Sequence, residues 1–495
     1  MSLSFERHAD LWGNRVAVVE GNEEFTYTDF ARRVKSVANE LSELGISSDD
    51  RVAVVSRNRV EVLVLLFATW RGGGVFAPVS HRLTPATVST PMERIDPDIV
   101  LFESAQRDLV RQFDAHSFEE IEHERPAIDG EPAEAGESTA AAVDSPHANC
   151  DQTATIEKDD TCLLVSTDDG ENVVRLSRRA VEWNSIAAVS GFGLGRTDCT
   201  LPLLPLSLSD CLFRFVLPLL TVGGCVVLQR AFDPERALAA IEQHGVSCLD
   251  GGPTEFQGLA DVDGKTNRDS LRSLSSLDWL TTRARVPPDV REAFPVPFVR
   301  VYGRPETGLN VLRESPGNER TAHPFPDCDV RIEDETGELF VRGATTAGGY
   351  LDGKRFGDWV PTGDLFRREN GEGGGNVKSG ESDGDESAGF VFVGRADEPF
   401  ESEGKRIHPR AIETVLESHP DVRSAGAIEG VAETGGAAPK AVVVGDASPG
   451  ELREFAEERL AQHEVPRAIE VVASLPRRAT GELNRAELRT RFGGG

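Results

Sequence analysis

The sequence contains very few lysines. Only seven occur among 495 residues, and the other 46 basic residues are arginine. Acidic residues outnumber basic ones by 83 to 53, so the formal net charge is −30 at pH 7. A surface this negative repels nucleic-acid phosphates and anionic membranes unless it carries a local basic patch, and the sequence shows none. The composition therefore argues against both kinds of partner and predicts a halophilic protein, adapted to a salt-rich cytosol.

Paired cysteines and long apolar runs are also lacking. The seven cysteines form no Cys-x-x-Cys motif, which predicts buried thiols and neither a zinc site nor a disulfide framework. The longest apolar runs, such as 60–70, are too short or too interrupted by charge to span a bilayer. The first residues lack the apolar segment of a signal peptide. These features predict a soluble, cytoplasmic protein.

What the sequence does contain is an alternation of short β-rich runs and amphipathic stretches. Helices are predicted over 26–44 and 60–70, and strands over 51–56, 72–79, 98–102, 162–165, 224–228 and 246–249. This βαβ rhythm is typical of an open, mostly parallel sheet, and thus of an α/β protein. Two polar segments, 119–160 and 368–388, interrupt the rhythm and are predicted to be solvated loops. A second α/β unit is predicted from about residue 396 onward, with elements over 407–415, 441–444, 451–460 and 469–472.

A succession of motifs follows this organisation. Tyr302-Gly-Arg-Pro-Glu306, Gly337-Glu-Leu-Phe-Val-Arg-Gly343, Asp358-Trp-Val-Pro-Thr-Gly-Asp364, Gly394-Arg-Ala-Asp397, Gly404-Lys-Arg-Ile-His-Pro409 and Leu475-Pro-Arg-Arg-Ala-Thr-Gly481 occur in this order. Each is weak alone, but their order over the whole chain resembles the adenylate-forming (AMP-binding) superfamily, which contains acyl-CoA synthetases, nonribosomal adenylation domains and luciferases.

The resemblance implies a two-domain architecture. Residues 1–395 would form the AMP-binding domain, built of mostly parallel twisted sheets flanked by helices with a smaller distorted β-barrel part. Residues 396–495 would form a small, mobile α+β domain of acyl-CoA synthetase type. Asp397 would be the hinge about which this domain turns.

The resemblance also implies site residues. Tyr302 would stack on adenine, Asp364 would accept both ribose hydroxyls and Arg395 would reach the same ribose. Glu306 would be catalytic as the ligand of Mg²⁺, and Arg406 would be catalytic by approaching the phosphate. The nucleotide-binding set would comprise Ser166, Thr167, Gly170, Tyr302, Gly303, Glu306, Asp364 and Arg395, and Gly404 with Lys405 would lie on the coenzyme A side.

The phosphate-handling residues depart from the family pattern. The loop after Val165 reads Ser-Thr-Asp-Asp-Gly, so Asp168 and Asp169 replace two hydroxyl side chains, and the family's loop lysine is missing. Arg175, Arg178 or Arg179 could take the place of that lysine. Glu482 replaces the catalytic lysine that follows Thr-Gly in the family. Two carboxylates facing a triphosphate oppose its binding unless a cation lies between them.

These observations support two hypotheses. The first is an AMP-forming acyl-CoA synthetase, an ATP-dependent acid–thiol ligase that uses ATP, Mg²⁺ and coenzyme A to activate a small carboxylic acid. The second is a catalytically impaired homologue that binds nucleotide or acyl ligand or supports a partner enzyme. The sequence favours the first, and does not select between o-succinylbenzoate, fatty and aromatic acids. It predicts no nucleic-acid partner, no membrane insertion and no particular oligomeric state.

Overall fold

The computed structural model describes residues 4–121, 157–167, 170, 172–262, 271, 274–316, 318–369, 389–402, 405–431, 437–478 and 481–493. Most of both predicted solvated loops lies outside these ranges. Within them, a search for helices long and apolar enough to cross a membrane finds none. Six of the cysteines lie in the described ranges; none of these six is in a disulfide, and all but the half-buried Cys225 are buried.

One sheet near the N-terminus has seven strands among the described residues. Its spatial order is Gly349–Tyr350, Val173–Ser177, Thr161–Ser166, Val75–Ser80, Arg51–Ser56, Ile99–Phe102 and Ala115–Ser117. The five strands from Thr161–Ser166 to the far edge pair in parallel. The predicted strands over 51–56, 72–79, 98–102 and 162–165 are therefore confirmed, with bounds shifted by a few residues at most.

A second sheet has 13 strands among the described residues. In spatial order these are Cys328–Ile332, Glu338–Gly343, Val360–Glu369, Gly389–Arg395, Asn318–Pro324, Gly308–Ser315, Phe298–Arg304, Trp279–Thr282, Cys248–Asp250, Cys199–Thr200, Cys225–Leu228, Val16–Glu20 and Glu23–Thr26. The strands from Phe298–Arg304 to Val16–Glu20 pair in parallel. The strands on the other side of Phe298–Arg304 pair in antiparallel fashion. The parallel half thus ends at the strand that carries Tyr302.

Helices cover both sheets. Val60–Arg71 is apolar on every side and almost wholly buried, as expected of a helix packed between layers. Tyr27–Glu43 is amphipathic and begins where the Thr26 hydroxyl accepts a hydrogen bond from the Asp29 backbone N–H. The other helices described are Phe5–Trp12, Ser89–Ile95, Arg107–Val110, Phe118–Ile121, Arg178–Phe192, Ser209–Cys211, Leu217–Val222, Pro234–His244, Pro253–Asp261, Pro288–Arg291, Pro409–Leu416, Pro449–Glu457 and Arg485–Phe492, with 3₁₀ and π turns at Ser104–Gln106 and Leu212–Val216.

The C-terminal part has a core of its own. Strands Val422–Val431, Ala437–Gly445 and Ala468–Val471 form one sheet, and Phe400–Ser402 pairs with Lys405–Ile407. The buried side chains that join these strands to the helices Pro409–Leu416 and Pro449–Glu457 include Ile407, Ile412, Leu416, Val443 and Leu452. The whole chain has the predicted α/β architecture. The boundary between residues 395 and 396 stays a prediction.

Candidate functional site

A cavity of about 630 Å³ lies between the large N-terminal part and the C-terminal part. We call it the cleft cavity. Its wall carries more guanidinium groups than carboxylates, although the whole protein is strongly acidic. The arginines are Arg283, Arg285, Arg300, Arg304, Arg367, Arg395, Arg410, Arg477 and Arg485, and the acids are Glu314, Asp364, Glu369, Glu398, Glu413, Glu417 and Glu482. This local excess of positive charge favours anionic ligands.

Three of the predicted nucleotide-binding residues meet on this wall. Asp364 is 4% exposed, and its Oδ2 accepts a hydrogen bond of 2.7 Å from the Tyr302 hydroxyl. Arg395 Nη1 lies 3.4 Å from Asp364 Oδ1 because the two residues are directly paired on neighbouring strands. Burial, followed by the Asp364 charge, raises the pKa of Tyr302, so its hydroxyl stays protonated as a donor. The Thr362 hydroxyl accepts a hydrogen bond from the Asp364 backbone N–H, which fixes the backbone at this point.

Gly303 places the next residue of the motif. A Cβ at this position would lie 2.4 Å from the Leu309 carbonyl carbon, so only glycine fits the backbone at this bulge. Arg304 then lies between two carboxylates. Its Nη1 is 3.5 Å from Asp364 Oδ2 and its Nε is 3.6 Å from Glu306 Oε2. The strand Phe298–Arg304 thus supplies a cation beside both of them.

Glu306 has one oxygen without a hydrogen-bond partner. The residue is 6% exposed, its Oε1 accepts from the Tyr350 hydroxyl at 3.1 Å, and its buried Oε2 has no hydrogen bond among the described residues. Mg²⁺ is commonly held by one or two carboxylates together with substrate phosphates. A carboxylate oxygen that has an ion pair with Arg304 but no hydrogen bond can still take that role. The described residues contain no cluster of three or more His, Cys, Asp or Glu that could hold a metal. Glu306 is not on the cavity wall itself but directly behind Arg304.

The loop that was predicted to bind phosphate is described only in part. Ser166 ends its strand and is exposed, and Thr167 is buried with its N–H and hydroxyl turned to Asn172 O. Gly170 takes a φ of +71°, which suits glycine, and donates to Thr167 O. Asp168 and Asp169 lie outside the described residues. None of the three described loop residues lies on the wall of the cleft cavity.

The arginines that could replace the loop lysine differ in their surroundings. The Arg178 guanidinium donates to the Trp70 carbonyl, and burial lowers its pKa, so this side chain is committed to the fold. Arg175 pairs with Gly349, next to the Tyr350 that contacts Glu306. Its Nε is buried without a hydrogen-bond partner among the described residues. Arg175 is therefore better placed than Arg178 to take that role.

The remaining predicted residues lie at the edge of the C-terminal part. Asp397 forms an ion pair of 2.8 Å with Arg395, which itself holds Asp364. Lys405 and Arg406 are exposed in the strand Lys405–Ile407. The described structure does not bring Arg406 to the cleft cavity. Gly404 lies outside the described residues.

A turn of the C-terminal part docks directly on the large part. Gly481 adopts a φ of +85°, and a Cβ there would lie 2.8 Å from Pro253 Cδ and 3.1 Å from Gly252 Cα. Arg477 Nη1 donates to Gly481 O at 2.8 Å and steadies the turn. The next residue, Glu482, places Oε1 3.2 Å from Arg283 Nη2. The carboxylate that replaces the family's lysine is therefore paired with a guanidinium of the large part.

Arg283 belongs to a buried series of alternating charges. Its Nη1 lies 3.0 Å from Asp210 Oδ2, and Asp210 Oδ1 lies 3.4 Å from Arg214 Nη2. Arg214 is completely buried, and its Nε lies 3.4 Å from Asp250 Oδ1. Removing one partner of such a buried set leaves an uncompensated charge and costs about 3–5 kcal/mol. Burial raises the pKa of Asp250 to about 6, and Arg214 only partly opposes this.

The pKa of Asp250 makes stability depend on pH. Unfolded aspartate titrates near pKa ~4, so at pH 5 the native state binds more protons than the unfolded state and stability falls as pH rises. Between pH 5 and pH 7.5 the wild type should lose about 1 kcal/mol of unfolding free energy relative to Asp250→Asn, which cannot titrate. Urea unfolding of both proteins at the two pH values measures this difference. Parallel pH dependence of the two proteins would contradict it.

Several of these contacts were not predicted from the sequence. Arg304 lies two residues before Glu306 in its motif, and nothing in the sequence indicates that it also reaches Asp364. The series through Arg214 had a clearer signal, because Asp210 and Arg214 are one helical turn apart in an otherwise apolar run. The pairing of Arg283 with Glu482 joins the replaced lysine position to a residue far away in the sequence.

Comparison with known proteins finds relatives that match over nearly the whole chain. A feruloyl-CoA synthase from Amycolatopsis sp. and a 2-succinylbenzoate–CoA ligase from Bacillus licheniformis are each 28% identical, with 98% of both chains covered. The o-succinylbenzoate coenzyme A synthetase of Bacillus subtilis, solved in complex with ATP and magnesium ion, has a TM-score of 0.78 at 21% identity, covering 99% of each chain. An anthranilate CoA ligase in complex with anthranoyl-AMP has a TM-score of 0.81 at 18% identity, covering 99% of this chain and 97% of that one. At these identities the two structures show a shared fold.

Family models match both parts of the chain. Residues 411–482 match the AMP-binding enzyme C-terminal domain. Residues 5–351, well over half of the chain, match the AMP-binding enzyme model. The protein therefore belongs to the AMP-binding enzyme family.

Proposed function

We propose that the protein is an AMP-forming acyl-CoA ligase that activates a small carboxylic acid. The observation that carries this proposal is the group of Tyr302, Asp364 and Arg395, joined by hydrogen bonds and opening on the arginine-rich cleft cavity. A nucleotide needs an acceptor for its ribose hydroxyls and cations for its phosphates, and this wall offers both. The relatives named for feruloyl and 2-succinylbenzoate substrates support an aromatic acid as the substrate class.

The large part binds the nucleotide. Tyr302 offers its ring face to adenine while its hydroxyl stays on Asp364 Oδ2. A carboxylate accepts about four hydrogen bonds, so Asp364 keeps capacity for both ribose hydroxyls. Arg395 and Arg304 hold that carboxylate in place, and Arg304 directs positive charge toward the phosphates. When bound, Mg²⁺ would be held by Glu306 and would neutralise phosphate charge.

Adenylate formation is a substitution at phosphorus. A carboxylate oxygen of the acid attacks the α-phosphorus of ATP, and the new O–P bond forms as the bond to the bridging oxygen breaks. Pyrophosphate leaves with that electron pair. The cleft wall lowers the barrier in two ways. It holds the acid carboxylate and ATP, both of them anions, close together, and its guanidinium groups stabilise the negative charge that accumulates in the transition state.

Thioester formation follows at the carbonyl carbon of the acyl adenylate. The coenzyme A thiolate attacks, the C–S bond forms, and AMP leaves with the electron pair of the broken C–O bond. Asp397 is the hinge that we propose for the accompanying rotation, since it lies next to the predicted domain boundary, where it pairs locally with Arg395. Rotation would bring Lys405 and Arg406, exposed in the present arrangement, toward the cavity with Gly404 on the coenzyme A side.

Product analysis tests the proposal. Purified protein is incubated with Mg·ATP, coenzyme A and ferulate, indole-3-acetate or 2-succinylbenzoate in molar KCl, the condition to which the acidic composition points. We expect acid-dependent release of AMP with a matching amount of acyl-CoA. ADP in place of AMP, or no product with any acid, would overturn the proposal, and the second of these results would favour the impaired homologue.

A further inference from the structure

Two opposite charges meet on the wall of the cleft cavity. The cation that a lysine would carry at position 482 is absent, and a guanidinium is present at Arg283 on the opposite side of the domain contact. The two side chains touch, with 3.2 Å between Arg283 Nη2 and Glu482 Oε1. Positive charge at this point of the cavity is thus supplied by the large part of the chain.

Arg283 is held rigidly on its buried side. Its side chain is 9% exposed, and its Nη1 lies 3.0 Å from the nearly buried Asp210. Asp210 also contacts Arg214, so its single charge is shared between two guanidinium groups. The buried set of Asp210, Arg214, Asp250 and Arg283 is neutral as a whole when both acids are ionised. Arg283 therefore contacts one carboxylate on its buried side and a second one, Glu482, on the wall of the cavity.

Glu482 is the carboxylate that occupies this position now. Its side chain is 36% exposed, far more than that of Arg283, and it belongs to a turn that sits on Gly252 and Pro253. Ion pairs at such exposure contribute about 0–1 kcal/mol. A ligand carboxylate that reaches Arg283 can displace Glu482 at little cost, because the displaced side chain regains contact with water.

We propose that the Arg283 guanidinium receives the carboxylate of the acid substrate and that Glu482 is an internal competitor for the same group. This inference rests on the proposed function, in which an acid must be held beside the nucleotide. Arg283 and Tyr302 line one cavity, so an acid docked on Arg283 shares that space with the nucleotide. The acid must displace Glu482 before its carboxylate can be activated.

Direct binding of acids tests the inference without any turnover. Kd values for ferulate, indole-3-acetate and 2-succinylbenzoate are measured by calorimetry on the full chain, with neither ATP nor coenzyme A present. Glu482→Gln should tighten the binding of at least one acid by about fivefold, because the competing charge is lost. The double variant Arg283→Gln with Asp210→Asn should weaken the binding of that acid by at least about tenfold. Changing both residues together avoids leaving the buried Asp210 carboxylate without Arg283.

Glu417 provides the matched control. It also forms an ion pair between the two parts on this cavity wall, 3.7 Å from Arg285. Glu417→Gln should leave the acid Kd unchanged. Equal tightening in Glu417→Gln and Glu482→Gln would show a general loosening of the domain contact and would overturn the inference. It would also be overturned if no acid bound any of these proteins at millimolar concentration.

The result is separable from the ligase activity. If the acids bind with the expected pattern while no AMP is ever released, the proposed function fails and the docking role of Arg283 stands. If AMP is released but neither substitution changes the acid Kd, the docking role fails and the ligase stands.

Discussion

Replacing Glu482 with lysine is expected to raise the rate of acyl-adenylate formation by at least about tenfold, equivalent to about 1.4 kcal/mol of barrier. The substitution removes a carboxylate that repels both the acid and the α-phosphate and competes for Arg283. It also places a second cation opposite Arg283, so that the acid carboxylate would lie between two positive groups. Cations fixed where charge accumulates stabilise the transition state more than the ground state. Pyrophosphate release in the absence of coenzyme A measures this step.

Glu482→Gln is the control that separates the two effects. It removes the competing charge but adds no cation, so we expect it to lower the KM for the acid and to leave kcat unchanged. Glu482→Lys should in addition raise kcat. If lysine and glutamine give the same rate, the cation at position 482 contributes nothing and Arg283 alone serves the acid. If neither variant is active, the carboxylates at Asp168 and Asp169 are the dominant obstacle and Asp168→Thr with Asp169→Thr becomes the informative variant.

The parallel half of the fold was predictable from the sequence because its signals are local. Runs such as Arg51–Ser56 are bounded by polar residues and rich in β-branched side chains, and Val60–Arg71 is an apolar stretch of helical length. The predicted bounds therefore agree with the structure to within a few residues. The contact of Asp364 with Arg395 was also within reach, because the family resemblance assigns both residues to one ribose.

The pairing of Arg283 with Glu482 was not predictable in the same way. Glu482 differs from the lysine expected at its position, and nothing in the sequence around Arg283 points to position 482. Only the docking of Gly481 on Gly252 and Pro253 shows that the two side chains meet. Arg304 is similar, since its reach to both Glu306 and Asp364 depends on the backbone bulge at Gly303. Contacts between distant segments depend on how the parts of the chain pack, and no sequence periodicity encodes that.

These contacts change the meaning of the departure at Glu482. In isolation, the carboxylate at Glu482 argues against catalysis. Within the structure it lies against Arg283, which also offsets the buried acid Asp210 behind it. Under the proposed docking role, the cation that receives the acid is attached to the large part of the chain. Movement of the small part would then uncover this cation instead of removing it.

Asp364→Ala is expected to weaken AMP binding by about 1–3 kcal/mol, the contribution of hydrogen bonds to a charged group. Tyr302, Arg304 and Arg395 all contact the Asp364 carboxylate, so its loss removes the ribose acceptor that these side chains hold in place. Arg304 then keeps Glu306 and Arg395 keeps Asp397 as their nearby carboxylates, and the positive charge that Asp364 no longer offsets attracts phosphate. Adenosine, which has no phosphate, should therefore lose at least as much affinity as AMP.

Calorimetry with adenosine and AMP on the wild type and Asp364→Ala decides the matter, and Glu369→Ala is the matched control. Glu369 lies on the same strand and on the wall of the same cavity, where it pairs with Arg367 at 3.0 Å. Its removal takes away one carboxylate of the wall without touching Tyr302 or Arg395, so both ligands should keep their affinity. If Asp364→Ala binds adenosine as tightly as the wild type does, Asp364 is a structural ion-pair partner and the ribose lies elsewhere. If Glu369→Ala weakens the binding of adenosine and of AMP equally, the loss of affinity reflects the charge of the wall and not a hydrogen bond to the sugar.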